Sequence, residues 1–210
     1  MRKEPRQARS REMVERIIAA GREVLVQAGY EGFSTNRVAE QAGVSPGSLY
    51  QYFPDKAAIL DEVIDRYWEH NAVLTERALG DRVAQITPDN TRPVIDALLT
   101  AMEADPALLR VVHEELPQAR WRERRTQLVR RVRELTTAAA IALSHDDPHA
   151  ADAAWVIVIA MENLATKWVL DRPDIDRDDF IEELNALVAG YLHQRAQSRA
   201  VGGRQRTTSS

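Results

Sequence analysis

The chain has 210 residues, 44% of them hydrophobic and 29% charged. That is enough to bury a core and too apolar for a globally disordered chain. No unbroken apolar run approaches the ~20 residues of a membrane span, and no apolar segment follows the opening Met1-Arg2-Lys3-Glu4-Pro5, so neither a span nor a secretory leader is expected. Cysteine is absent, which excludes disulfides, thiolate catalysis and cysteine-ligated zinc, and a cytoplasmic protein is expected. The net charge of −4 is unevenly spread. Residues 1–56 carry +2, with five of their nine cations (Arg2, Lys3, Arg6, Arg9, Arg11) in the first eleven positions, and residues 57–210 carry −6. A basic arm on an acidic body suits a molecule that meets phosphates at one end, although a solvated basic terminus has the same composition.

Apolar residues recur at helical spacing almost throughout, punctuated by Gly and Pro and without strand-like alternation, so an all-α chain of about nine helices is predicted. The first helix should open at the N-cap Ser10, carry Met13, Ile17, Ala20, Val24, Leu25 and Ala28 on one stripe, and stop at Gly29. Tyr30 to Phe33 form a loop whose two aromatics plug into the surrounding helices. Ser34 can cap a short helix from Thr35 to Ala42; Gly43 then supplies a positive-φ turn and Val44 an apolar anchor. Ser45 is an N-cap, and Pro46 sits where a missing N–H is harmless. The third helix, 46–53, is barely two turns; Pro54 ends it and Asp55 caps the next, 56–79. After a linker at Thr87-Pro88-Asp89-Asn90, helices are predicted near 92–104, 106–116, 118–144, 148–170 and 177–195, with joints at Asp105-Pro106, Leu116-Pro117 and Asp147-Pro148. The composition from Ala200 to Ser210 predicts a disordered tail.

Two short helices joined by a tight glycine turn make a helix-turn-helix, whose second helix enters the major groove of a duplex. Gly47 and Ser48 are small enough to let the backbone approach base edges, while Thr35, Ser45, Tyr50, Gln51 and Tyr52 supply hydroxyls and an amide. Lys56 puts a cation at a helix start, where it is unfavourable unless an anion such as a DNA phosphate lies near. Val38, Ala42, Val44, Leu49 and Phe53 are read as core.

The run from Thr35 through Lys56 resembles the DNA-binding signature of TetR-type repressors: the Ala42-Gly43-Val44-Ser45 turn, the Ser48-Leu49-Tyr50-Gln51-Tyr52-Phe53 stretch and the lysine three residues after the phenylalanine coincide. The resemblance covers residues ~10–60; the rest matches in layout only. It implies an N-terminal three-helix DNA-binding domain (1–56) and a C-terminal helical ligand-binding and dimerisation domain (57–199), followed by the tail (200–210). It also implies a homodimer on a palindromic operator of double-stranded DNA, acting as a repressor released by a small molecule. By motif position, Thr35, Ser45, Tyr50, Tyr52 and Lys56 correspond to backbone contacts, and Pro46, Gly47, Ser48 and Gln51 to the face nearest the bases. Arg37 is placed at either a groove edge or a phosphate. Gln pairs naturally with adenine and Arg with guanine.

In the body, the small and apolar residues Ala153, Ile157, Ala160, Leu164, Trp168, Leu184, Leu187, Val188 and Tyr191 are candidates for a four-helix dimer interface, the other possibility being an ordinary internal core. Candidate ligand-pocket walls are Tyr67, Leu99, Met102, Val112, Trp121, Leu128, Trp155, Ile159 and Met161, with Glu162 and Asn163 as polar contacts; plain core or rim positions are the alternative. These residues suggest a hydrophobic or aromatic effector. The arginines from Arg120 to Arg133 form either a solvated face or a second nucleic-acid surface. The segment His145-Asp146-Asp147-Pro148-His149 spans a helix joint, so neither metal nor cofactor is expected. An activator or an effector-independent regulator is the nearest alternative function. A helical enzyme or scaffold is more distant: the chain has no paired Glu-x-x-His motif, phosphate loop or nucleophile elbow.

Overall fold

The computed structural model describes residues 4–80, 91–117 and 149–207, with six further positions between 122 and 134. All regular structure among them is helical: α1 (Glu4–Gly32), α2 (Thr35–Ala42), α3 (Pro46–Tyr50), α4 (Lys56–Gly80), α5 (Arg92–Glu103), α6 (Pro106–Arg110) running into a π-helical turn (Val111–Glu115), α7 (Ala150–Asp171) and α8 (Arg177–Thr207). The chain divides into two compact units, Met1–His70 with Asp105–Arg125, and Asn71–Ala104 with Thr126–Ser210. The expected linker at Thr87-Pro88-Asp89-Asn90, the Asp147-Pro148 joint and most of the 118–144 helix, including Trp121 and Leu128, lie outside the described residues.

The capping chemistry read from the sequence is in place. Ser34 accepts the Arg37 N–H at 3.4 Å, Ser45 the Ser48 N–H at 3.1 Å, Asp55 the Ala58 N–H at 2.9 Å and Asp105 the Leu108 N–H at 3.1 Å. Each satisfies a donor that a helix start leaves orphaned. Gly43 adopts φ 65°, ψ 38° and its N–H bonds back to the Glu40 carbonyl at 3.0 Å, while Val44 N–H reaches Ala39 at 2.9 Å, the left-handed stop that only glycine adopts without strain.

Several boundaries differ from expectation. Helix α1 starts at Glu4, not Ser10, because the residues before Ser10 are good helix formers and Pro5 sits where the first turn tolerates it. Gly29 breaks helical geometry at φ 68°, ψ −179°, a kink after which a last turn runs to Gly32. Helix α3 ends at Tyr50 rather than 53, since Pro54 biases Phe53 away from the helical region. The segment 106–116 splits: the Leu116 N–H reaches back five residues to Val111 at 3.1 Å, and Pro117 cannot extend the helix. Helix α8 continues to Thr207, through much of the stretch whose composition suggested a tail.

In the first unit, Ile17, Val24 and Leu25 of α1, Phe33, Val38 of α2, Leu49 of α3 and Ile59, Val63 and Ile64 of α4 make one core, joined by Leu108, Leu109, Val111, Val112 and Leu116. At its surface Arg66 bonds Glu15 of α1 (Nη2 to Oε1 2.8 Å) and Glu62 (3.1 Å), tying α1 to α4. The hydrogen bond from Arg66 holds the Glu15 carboxyl below its ordinary pKa. This contribution is therefore present above the unfolded-state value and is lost as pH falls through the lowered one. In the second unit α8 lies on α5. Arg177 bonds Asp96 at 2.7 Å and Glu103 at 3.0 Å, Arg92 bonds Asp178 at 3.1 Å and also Glu182, and Asn185 accepts both the N–H and the hydroxyl of the buried Thr91. The hydrogen bond to Asp96 raises the Arg177 pKa, so that cation persists at every relevant pH.

By length and composition alone α7 is apolar enough to cross a bilayer, although Asp152, Glu162 and Lys167 interrupt its apolar run; 44% of the apolar stretch is buried inside the chain.

Leu49 is fully buried at the centre of the first unit. Leu49→Ala is expected to lower unfolding stability by ~2–5 kcal/mol, read as a reduced urea midpoint with an unchanged slope.

Candidate nucleic-acid interface

The turn between α2 and α3 fixes which residues face outward. Val38, Ala39 and Ala42 of α2 and Leu49 of α3 point inward, with Phe53 beneath them and Val44 half-buried at the turn. The opposite sides expose Arg37, Pro46, Gly47, Tyr50 and Gln51, with Lys56 at the start of α4; Thr35, Ser48 and Tyr52 are half-buried. Tyr50 is 51% exposed although it belongs to a well-packed unit, so its ring is not spent on the core. Its hydroxyl lies 3.2 Å from Thr35 Oγ1, which joins the first residue of α2 to the last of α3 and places two hydroxyls side by side.

The structure therefore brings Thr35, Arg37, Ser45, Ser48, Tyr50, Tyr52 and Lys56 onto one compact unit, but it separates their roles. The Ser45 hydroxyl caps α3 and lies 2.9 Å from the Ser48 hydroxyl, so both are already engaged within the chain. Arg37 and Lys56 have no acidic partner among the described residues. Lys56 instead holds its ammonium 6.0 Å over the Tyr30 ring. Sequence alone marks Tyr30 only as a packing aromatic. Its place beside Lys56 had no sequence signal beyond following Gly29, since the contact joins residues far apart in the chain.

The ligand-pocket candidates divide. Tyr67 and Val112 are buried in the first unit. In the second, Leu99 and Met161 are buried and Met102, Ile159 and Glu162 half-buried, while Trp155 is 47% exposed. Asn163 is exposed and donates to the Ile159 carbonyl at 2.7 Å, so its amide is satisfied within its own helix. Among the dimer candidates, Ala153, Leu184 and Val188 are core residues within the chain, because their helical phase turns them inward. Ile157, Ala160, Trp168 and Tyr191 are half-buried, and Leu164 and Leu187 are exposed at 39% and 50%, as is Val156 at 42%. The Trp168 indole stacks on Phe180 at 5.2 Å and 8°.

A family model described as bacterial regulatory proteins of the tetR family matches residues 17–63, the helix-turn-helix with the helices that frame it, and a second, described as the tetracyclin repressor-like C-terminal domain, matches residues 88–192. The chain belongs to the TetR family. The family is one of transcription regulators and not of enzymes. The regulator is 34% identical over 99 residues to the HTH-type transcriptional repressor KstR of Mycolicibacterium smegmatis, a match covering 47% of each chain. It is 30% identical over 113 residues to the nucleoid occlusion factor SlmA of Vibrio vulnificus, covering 50% of this chain and 54% of that one. The regulator thus spans about half the length of the curated relatives it matches. Its fold is similar to the solved structure of the transcriptional regulator FadR from Bacillus subtilis in complex with stearoyl-CoA, with a TM-score of 0.60 at 21% identity, covering 83% of this chain and 95% of that one.

Lys56→Ala is expected to weaken the regulator's binding to all duplex sequences alike and to reduce the slope of log affinity against log salt by about one. Titrations across a salt series check it; an unchanged slope removes Lys56 from the phosphates.

Proposed function

We propose that the regulator is a homodimeric repressor that binds a palindromic operator and leaves it when a hydrophobic or aromatic small molecule enters the helical body. The observation that carries this is the exposed side of the short helix α3. Gly47, Tyr50 and Gln51 face outward, the helix is aimed by Gly43 and Ser45, and Arg37 and Lys56, without an acidic partner among the described residues, belong to the same unit. Small residues next to an amide and hydroxyls suit close approach to base edges, and the cations suit the flanking phosphates. A palindrome needs two heads ~34–36 Å apart, hence two chains. The exposed apolar stripe of Val156, Leu164 and Leu187, with the half-buried Ile157, Ala160, Trp168 and Tyr191, supports pairing through α7 and α8.

Support for a small molecule in the body comes from α7. Among the described residues Thr166 Oγ1 is buried with no hydrogen-bond partner, a costly state that an acceptor- or donor-bearing apolar compound would relieve. The fold likeness to FadR bound to stearoyl-CoA is in keeping with a ligand that has a long apolar part and a polar end. A cytoplasmic location and independence from membranes belong to the same proposal.

The likeness to SlmA, a nucleoid occlusion factor, favours one second reading, a DNA-binding role other than repression. The footprint's position relative to promoters separates the two.

Selection from random duplexes should enrich an inverted repeat, and Gln51→Ala should relax the preference at one base position of each half-site by ~1–3 kcal/mol. No enrichment would remove the proposal. Leu164→Glu together with Leu187→Glu should turn a dimer, seen by solution scattering, into single chains; wild-type chains that already scatter singly would refute the pairing.

A further inference from the structure

The segment Asp105–Glu115 meets α1 at two points. At one end the Arg22 guanidinium places Nε 3.0 Å and Nη2 2.5 Å from Asp105 Oδ2. At the other, Glu115 Oε2 accepts the backbone N–H of Tyr30 at 2.9 Å. The corner between α1 and α2 is shaped for that carboxylate. Gly29, with φ 68° and ψ −179°, occupies a region essentially reserved for glycine, and a Cβ there would stand 2.5 Å from Glu115 Oε2. The residue whose N–H is held, Tyr30, carries on its ring the Lys56 ammonium at 6.0 Å, the outer reach of a cation–π contact. The same corner lies against Arg37, since a Cβ on Gly32 would be 3.2 Å from Arg37 Nη1.

From this chain of contacts we infer that Glu115 is a positioning residue for DNA binding: it fixes the backbone of Tyr30, whose ring holds Lys56 in place for a phosphate. The inference rests on the DNA-binding reading above and adds to it a control point outside the helix-turn-helix. Charge alone predicts the opposite sign. Glu115 is an anion on the unit that meets a polyanion, so deleting it would tighten binding if it acted only through its field. Positioning predicts that deleting it weakens binding.

The test is a mutant cycle on the full-length chain with a duplex obtained by selection, each variant's melting curve confirming that it is folded at the binding temperature. Glu115→Ala should weaken affinity about two- to fivefold, the scale of an exposed cation–π contact. Glu115→Gln, whose amide oxygen still accepts the Tyr30 N–H, should recover most of the loss. In a Lys56→Met background Glu115→Ala should have no further effect, because its action runs through that cation. Tyr30→Leu, which keeps the N–H and loses the ring, gives an independent route and should reproduce the Glu115→Ala loss. Tighter or unchanged binding by Glu115→Ala, effects of Glu115→Ala and Lys56→Met that simply add, or no effect of Tyr30→Leu would each overturn the inference while leaving the DNA-binding reading intact. A wild-type chain that binds no duplex at all would overturn both.

Discussion

A single left-handed residue sets the geometry on which the outward side of α2 and α3 depends. Gly43 turns the chain with φ 65° and ψ 38°, and the carbonyls of Ala39 and Glu40 are satisfied by the N–H groups that follow. Because that turn is closed by backbone bonds, the angle between α2 and α3 is not left to side-chain packing. Ser45 and Pro46 then start α3 at once, leaving no slack between the helices. A Cβ at Gly43 would meet nothing within 4 Å, so the glycine is required by its backbone angles and not by crowding.

Once the turn is fixed, the apolar and polar sides of α2 and α3 separate cleanly. Val38 and Ala42 are buried where α2 packs on α1, Leu49 of α3 is buried beside them, and what remains outward is mostly small, hydroxylated or cationic. Those exposed groups gain little stability from their positions. Arg37 and Lys56 lack carboxylate partners among the described residues, whereas Arg22, Arg66, Arg92 and Arg177 all have them. Arginines that join helices are paired within the chain, while cations on the proposed contact face are left for an external anion.

The segment Asp105–Arg125 shows how the N-terminal residues depend on chain far from them in sequence. It groups with Met1–His70, contributes Leu108, Leu109, Val111, Val112 and Leu116 to that core, and holds α1 through Asp105 and Glu115. The π-helical turn is part of the arrangement: five residues in place of four bring Leu116 into the core just before Pro117 ends the helix. In the other unit, α5 and α8 are joined by arginine–carboxylate pairs at their edges, and the apolar stripe of α7 and α8 that those contacts leave uncovered contains Val156, Leu164 and Leu187.

Much of the N-terminal unit was legible in sequence because its signals are local. Caps at Ser34, Ser45, Asp55 and Asp105, the glycine stop at Gly43 and the proline stop at Pro54 act within a few residues and are indifferent to the rest of the fold. Periodicity likewise gave the inward residues of α1 and α2. It marked apolar positions on α7 and α8 without saying what covers each: Ala153, Leu184 and Val188 turned out to be core, Leu164 and Leu187 surface, and Trp155 exposed. Contacts between distant positions had no such signal. That Glu115 meets Tyr30, that Tyr30 faces Lys56 and that Arg177 bridges Asp96 and Glu103 follow from how helices pack, and one sequence carries hydrophobic phase but not the register of one helix against another. The chain by itself determined the turn and the short helix that follows it; which charges are paired among the described residues was decided only by tertiary packing.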